Sequence, residues 1–301
     1  MVISAAFPFA PHYVEVEGTR LHYVEQGTGD PILFLHGNPT WSYVWRNIIP
    51  IVAAKGRCIA LDLVGFGQSD KPDIAYDYFD HVGYVEGFIR ALNLTNVTLV
   101  LQDWGGAFGF DYALRHSDNV KAIAFFEAVA FTLTWDNFPR DLRETFKAFR
   151  KPGDGWKLIC EDNMFVEEVI PSGVVRQLSE EEMNRYRMPF PTVESRKPLW
   201  VMPNMIPIND RQDETYKAVK KIEDGLPGLT MPTLLLWAQP GVIVNSRERV
   251  TWFQQRLPAL EVVDLGEGLH YLQEDHPEEI GQAILRWLGK IANEGMKSDG
   301  G

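Results

Sequence analysis

Short apolar strands alternate with helical patterns along this chain, and no other feature of the sequence restricts the fold as strongly. Runs of apolar residues without polar alternation are typical of strands that are buried on both faces of a parallel sheet. The helical patterns between them predict an α/β fold with a mostly parallel central sheet flanked by helices. The predicted strands lie within the stretches PILFLHG (31–37), RCIALDL (57–63), NVTLVLQ (96–102), NVKAIAFFE (119–127), PTLLLWA (232–238) and LEVVDLG (260–266).

The alternation stops between Phe131 and about Asp210, where helical patterns broken by Pro and Gly replace the strands. We therefore predict a core domain made of residues 1–130 and 210–301, with a helical insertion over residues 131–209. Ligands of open α/β sheets bind outside the carboxyl ends of the strands, so an insertion at that edge would enclose a pocket as a lid.

Composition limits the classes of function. The 301 residues are 45% hydrophobic, which allows one large soluble domain, and the formal net charge of −12 argues against a nucleic-acid partner. Cys58 and Cys160 lie far apart without metal-ligand spacing, so we expect no disulfide framework, no metal site and a reducing cytoplasm. No apolar run is long enough to span a bilayer, and the start of the chain lacks a basic segment, so we expect neither export nor membrane insertion.

The stretch LVLQDWGGAFG, residues 99–109, places an aspartate just after a buried strand that we predict over Val97–Leu101. Asp103 in this position can serve simply as the N-cap of the helix that follows. Gly105 and Gly106 favour a different interpretation, because they permit the sharp strand-turn-helix geometry of a nucleophile elbow. The sequence then predicts Asp103 as the nucleophile in the position that serine usually occupies.

A base and an acid are also present in the chain. His270 follows the predicted strand Glu261–Leu265 on a loop at the carboxyl edge of the sheet, late in the chain, as the histidine of α/β-hydrolases does. The acid can follow the strand that ends at Glu127 or the strand in LLLWAQPGVIV (234–244). The second strand offers only Gln239 near its end, which is not a carboxylate. We therefore predict Glu127, at the end of the first, as the partner of His270.

Six stretches together resemble haloalkane dehalogenases of the subgroup that pairs Asp and His with Glu, and the likeness runs from about residue 12 to 293. The resemblance implies an α/β-hydrolase fold with an inserted helical cap. It also implies that Asp103 is the nucleophile, His270 the base, Glu127 the acid, Asn38 and Trp104 the halide-binding pair, and Phe165, Pro203 and Ile206 substrate-pocket residues. The stretches are HGNPT (36–40), DLVGFGQSDKP (62–72), QDWGG (102–106), FFEAVA (125–130), DNMFVEEVIP (162–171) and LHYLQEDHP (269–277).

The chemistry of these residue types agrees with that function. A carboxylate is ionised at neutral pH, so Asp103 needs no base to attack a saturated carbon and form an ordinary ester. His270 can then activate water against the ester. We expect a small halogenated hydrocarbon and water as substrates and an alcohol, a halide ion and a proton as products, without a metal or an organic cofactor.

An epoxide hydrolase with the same Asp-His-acid core is the alternative. Such enzymes usually use two lid tyrosines to protonate the epoxide oxygen, whereas the insertion contains only Tyr186. Fluoroacetate dehalogenases place arginines just after the nucleophile, where this chain has WGGAFG. A serine esterase needs a serine hydroxyl at the position that Asp103 occupies. The sequence therefore favours an uncharged organohalide.

Overall fold

Eight strands form one sheet in the computed structural model, which describes residues 3–298 of the chain and the side chains of residues 3–293. The spatial order is β1-β2-β4-β3-β5-β6-β7-β8. Neighbouring strands from β4 through β8 are parallel, which confirms the predicted sheet, whereas β1 and β2 add an antiparallel edge that the sequence analysis did not include. The strands are β1 His12–Val16, β2 Thr19–Gln26, β3 Pro31–Leu35, β4 Arg57–Leu61, β5 Val97–Asp103, β6 Val120–Ala128, β7 Thr233–Pro240 and β8 Leu260–Gly268.

The central strands are apolar throughout because both faces of the sheet are covered. Successive side chains of a strand point to opposite faces. Leu101 accordingly packs in the hydrophobic cluster on one face, and its neighbour Val100 packs in the cluster on the other. Each face thus has its own core, and only the strand ends remain available for a site.

Helices cover both faces of the sheet. Buried side chains of α2, α3 and α9 belong to one cluster, and those of α1 and α12 belong to the other. Within the described residues, no helix has both the length and the apolar character needed to cross a membrane. The helices are α1 Ile49–Val52, α2 Tyr78–Ala91, α3 Trp104–Arg115, α4 Arg140–Phe149, α5 Asp154–Trp156, α6 Ile170–Ser172, α7 Glu180–Arg187, α8 Lys197–Met205, α9 Glu214–Gly225, α10 Arg247–Gln254, α11 Leu272–Asp275 and α12 Pro277–Ser298.

Helices α4 to α8 lie between β6 and β7 within residues 131–209, where the sequence predicts the helical insertion, and α9 follows it. Within the helical pattern of the stretch DNMFVEEVIP (162–171), Phe165–Val169 form a π-helical turn and not an α-helix. Helix α7 begins at a capping box, in which the Ser179 hydroxyl and the Glu182 carboxylate each accept the other residue's backbone N–H. Leu133 and Ile208 pair in an isolated bridge that joins the two ends of this helical segment.

A buried ion-pair network connects the helical segment to the rest of the sheet domain. Arg46 donates to Glu274 at 2.6 and 2.9 Å and to Glu182 at 2.7 Å. Arg176 donates to the same two carboxylates. Removing one member of a buried ion-pair network leaves an uncompensated charge, so such a network fixes its elements in one arrangement. Here it fixes α7 against α11, the short helix that follows His270.

Candidate active site

The turn after β5 has the elbow geometry that the glycines predict. Asp103 is the last residue of β5, two residues beyond the predicted strand end at Leu101, and it has a φ of 51°. A positive φ at a non-glycine residue is strained by about 1–3 kcal/mol and is found mainly at functional sites. A Cβ at Gly105 would lie 2.2 Å from the Leu35 carbonyl oxygen, so only glycine lets α3 start this close to β3.

The carboxylate of Asp103 faces the loops at the sheet edge and makes no capping bond to α3. Its Oδ1 accepts the backbone N–H of Asn38 at 2.8 Å. Its Oδ2 lies 3.5 Å from Nε2 of His270. The capping interpretation is therefore excluded, and the loop after β3 supplies a backbone donor to this carboxylate.

His270 lies between two carboxylates. Its Nδ1 is 3.2 Å from Oε2 of Glu127, which is only 1% exposed. Glu127 also accepts three backbone N–H groups, at 2.7 to 3.0 Å, from the loop after β7: those of Val242, Ile243 and Val244. The loop after β7, which the sequence analysis weighed as the other position for the acid, thus provides the backbone donors that hold Glu127 in place.

The two carboxylates determine the charge of His270. Burial lowers the pKa of His270, but hydrogen bonds and charge interactions with Asp103 and Glu127 outweigh it and raise that pKa to about 9. At neutral pH the ring is therefore an imidazolium between two anions. Because the folded-state pKa is raised, this contribution to stability is complete below pH 6.5 and is lost as the pH rises through about 9.

Two side chains next to Asp103 have donors to offer a ligand. The Asn38 amide donates one N–H to the Leu199 carbonyl oxygen at 3.1 Å, which leaves its second N–H free. The indole N–H of Trp104 donates to no protein group among the described residues. Since both residues line the same cavity as Asp103, two N–H donors can converge on an anion there.

A cavity of about 330 Å³ opens above these groups. Most of its lining is apolar, and its polar members include Asn38, Asp103 and His270. The other residues predicted for the site also line it: Trp104, Phe165, Pro203 and Ile206. The cavity therefore combines one nucleophilic carboxylate, one histidine and two N–H donors in surroundings that suit a small apolar ligand.

The sequence analysis did not identify several groups around His270. Gln102, which is fully buried, places its side-chain nitrogen 3.2 Å from Nε2 of His270 and can donate to that atom only when it carries no proton. Tyr271 lines the cavity, and the Gly173 carbonyl accepts backbone N–H groups from the histidine loop. Gln102 and Tyr271 are next in the chain to Asp103 and His270, and this adjacency is the only sign in the sequence that they belong to the site.

Among the described residues, no group of three or more His, Cys, Asp or Glu side chains could hold a metal ion.

Known proteins resemble this chain in sequence and in structure. The alpha/beta hydrolase fold family matches residues 30–158. A haloalkane dehalogenase of Bradyrhizobium diazoefficiens is 44% identical over 289 residues, covering 92% of this chain and 93% of the relative. A haloalkane dehalogenase of Sphingobium indicum is 41% identical, with coverage of 93% and 95%.

Solved structures give the same result. The crystal structure of a haloalkane dehalogenase from Bradyrhizobium elkani superposes with a TM-score of 0.92 at 42% identity, covering 95% of this chain and 99% of that one. A second, from Agrobacterium tumefaciens, has a TM-score of 0.89 at 37% identity, with coverage of 94% and 97%.

Proposed function

We propose a mechanism from the premise that this chain belongs to the haloalkane dehalogenases, hydrolases of the α/β-hydrolase fold that act on carbon–halide bonds. The reaction is hydrolytic dehalogenation, in which a haloalkane and water give an alcohol, a halide ion and a proton. The observation that best supports our assignment of roles is the position of His270 between the Asp103 and Glu127 carboxylates at the edge of an apolar cavity.

In the first step, a carboxylate oxygen of Asp103 attacks the carbon that carries the halogen. The new carbon–oxygen bond forms as the carbon–halogen bond breaks, and the halide leaves with the bonding electrons. We assign Oδ2 as the attacking oxygen, because Oδ1 accepts the Asn38 backbone N–H. The product is a neutral alkyl ester of Asp103.

Ester formation also changes His270. The Asp103 charge is one of the causes that raise the His270 pKa to about 9, and esterification removes that charge. The pKa of His270 then falls, the imidazolium releases its proton to solvent as the one net proton of the reaction, and Nε2 becomes available as a base. The Asp103 carboxylate thus keeps His270 protonated, and unable to act as a base, until the ester has formed.

In the second step, His270 accepts a proton from water, and the water oxygen attacks the carboxyl carbon of Asp103. The N–H of Asn38 that binds Oδ1 is placed to stabilise the oxyanion that develops there. Collapse of this intermediate breaks the acyl–oxygen bond, and the alcohol leaves with a proton from His270. The Asp103 carboxylic acid then passes the remaining proton of the water to His270, which restores the carboxylate and the imidazolium. Glu127 orients the ring throughout and balances its positive charge.

We also propose that residues 131–209 act as a cap over the site. Cavity-lining residues come both from the strand ends and from this helical segment, which contributes Phe165, Pro203 and Ile206. The buried ion pairs of Arg46 with Glu182 and Glu274 support a fixed cap position. A closed apolar space strengthens the hydrogen bonds that the departing halide receives.

Bromide release tests the function. We expect the protein to release one bromide and one proton per alcohol from 1-bromobutane or 1,2-dibromoethane. The epoxide hydrolase alternative is not favoured, because the Tyr186 hydroxyl is buried against Glu274 and does not line the cavity. Turnover of an epoxide without bromide release from a broad panel of bromoalkanes would contradict the assignment.

Trp104→Phe tests the halide-binding pair. The variant keeps an aromatic ring but loses the free indole N–H, so the departing halide loses one of its two side-chain donors. We expect alkylation by 1-bromobutane to slow by about 10- to 1,000-fold, as for other transition-state anion donors. The measurement is the single-turnover rate of ester formation. Trp287→Phe, on the opposite face of the sheet, is the matched control and should retain the parent rate; equal rates in Trp104→Phe would exclude the proposed role.

Asp103→Asn tests the coupling between the ester and the base. The amide is neutral, like the ester, so we expect the His270 pKa to fall from about 9 towards the ordinary value of about 6.5 or below. The pKa is measured by following the ring nuclei of His270 by NMR from pH 5 to 10. The exposed Asp118→Asn change serves as a control that should leave this titration unchanged. An unaltered pKa in Asp103→Asn would contradict the coupling.

A further inference from the structure

Tyr271 connects the two halves of the site. Its hydroxyl donates to the backbone carbonyl oxygen of Asn38 at 3.1 Å. Its ring packs edge-on against the ring of His270, with centroids 4.7 Å apart. One side chain that is only 2% exposed therefore touches both the residue assigned to the halide and the residue assigned to the water.

The hydrogen bond to Asn38 has no substitute among the described residues. No other donor reaches the Asn38 carbonyl oxygen, and its peptide group continues into Pro39. The same residue gives its backbone N–H to Asp103 and its side-chain amide to Leu199. The tyrosine hydroxyl thus fixes the peptide group that joins Asn38 to Pro39, next to the side-chain amide that we assign to the halide.

The cap holds Tyr271 from the other side. The Gly173 carbonyl accepts the backbone N–H of His270 at 3.0 Å and that of Tyr271 at 2.9 Å. A Cβ at Gly173 would lie 2.7 Å from two carbon atoms of the tyrosine ring. The ring therefore has no free space towards the cap, and its position is determined by Gly173, His270 and Asn38 together.

We infer that Tyr271 is a positioning residue that aligns the halide-binding loop at Asn38 with the histidine loop, with its hydroxyl serving the first chemical step and its ring the second. This inference rests on the proposed function and extends it. The hydroxyl orients Asn38 while the halide departs. The ring limits the rotation of His270 while water is activated.

Tyr271→Phe separates the two contributions, because it removes the hydroxyl and keeps the ring. We expect the dissociation constant of bromide to rise by about 5-fold and the alkylation rate constant to fall by about 5- to 20-fold, as for loss of a buried hydrogen bond. The rate constant of ester hydrolysis should stay within about 2-fold of the parent, because the ring contact with His270 remains and the Asn38 N–H that faces Oδ1 of Asp103 belongs to the preceding peptide group. Sodium bromide titration followed by tryptophan fluorescence gives the first value, and rapid-quench single turnovers with 1-bromobutane give the other two.

Gly173→Ala is the complementary variant. Its added methyl group must displace the tyrosine ring, so we expect both alkylation and hydrolysis to slow. Tyr76→Phe is the matched control, because the buried Tyr76 hydroxyl also donates to a backbone carbonyl, that of Pro72, outside the cavity lining. It should match the parent in all three measurements.

Two results would overturn the inference. The first is a Tyr271→Phe variant whose bromide affinity and alkylation rate both stay within about 2-fold of the parent, less than a buried hydrogen bond contributes. The second is an equal loss in alkylation and hydrolysis in both Tyr271→Phe and Tyr76→Phe, which would indicate a general structural effect. A parent chain that neither binds nor releases bromide would instead contradict the proposed function, and bromide titration without turnover distinguishes these cases.

Discussion

His270→Phe should convert the enzyme into one that reacts once and stops. Phenylalanine cannot accept a proton from water, so the ester of Asp103 forms but is not hydrolysed. We expect turnover of 1-bromobutane to fall by about 10⁴-fold, the upper range for loss of a general base. A burst of one bromide per protein molecule should precede this residual rate.

Intact-protein mass spectrometry checks this result. The variant should gain the mass of one butyl group, and peptide mapping should assign that group to the Asp103 side chain. His116→Phe, the same change at a half-buried helix end outside the cavity lining, is the matched control and should turn over repeatedly without adduct. Alkylation at a different residue, or continued turnover in His270→Phe, would contradict the assigned roles.

Asp103→Asn should abolish both steps. The side-chain amide keeps the size of the carboxylate, and its oxygen can still accept the Asn38 backbone N–H, but the amide is not a nucleophile towards saturated carbon. We expect bromide release to fall by about 10⁴-fold or more, with no burst and no alkyl adduct. Bromide binding should persist, because the Asn38 and Trp104 donors remain.

The measurement requires freshly prepared Asp103→Asn protein whose intact mass shows that the asparagine has not deamidated. Asp118→Asn should behave as the parent in both bromide release and bromide binding. Bromide release by Asp103→Asn near the parent rate would show that another group attacks the substrate. Loss of bromide binding in the same variant would contradict the placement of the halide donors beside Asp103.

Much of the fold could be predicted because its signals are local. The apolar run 31–35 predicts β3 with the bounds that the structure has. The family and the sheet architecture are confirmed by relatives above 40% identity over most of the chain. The end of β5 was placed at Leu101 instead of Asp103, because the pairing that continues the strand comes from β6. The edge strand β1 was missed because its partial exposure gives it a weaker apolar signal.

The candidate site likewise has side chains that the sequence predicts and backbone groups that it does not. Asp103 and His270 could be proposed from residue type, neighbouring glycines and chain order. Other parts of the site are backbone atoms. The N–H groups of Val242 and Ile243 donate to Glu127, and the Gly173 carbonyl oxygen accepts from the histidine loop. Any residue type supplies such atoms, so no pattern of side chains predicts them. Only the folded arrangement brings them to the site.

A single turnover in water enriched in ¹⁸O tests the central claim most directly. With enzyme in excess over 1-bromobutane, we predict that the alcohol contains unlabelled oxygen from Asp103. The peptide that contains Asp103 should gain one ¹⁸O, because water attacks the carboxyl carbon of the ester. Labelled alcohol in that first turnover, together with an unlabelled Asp103, would show that water attacks the substrate directly and would contradict the covalent mechanism.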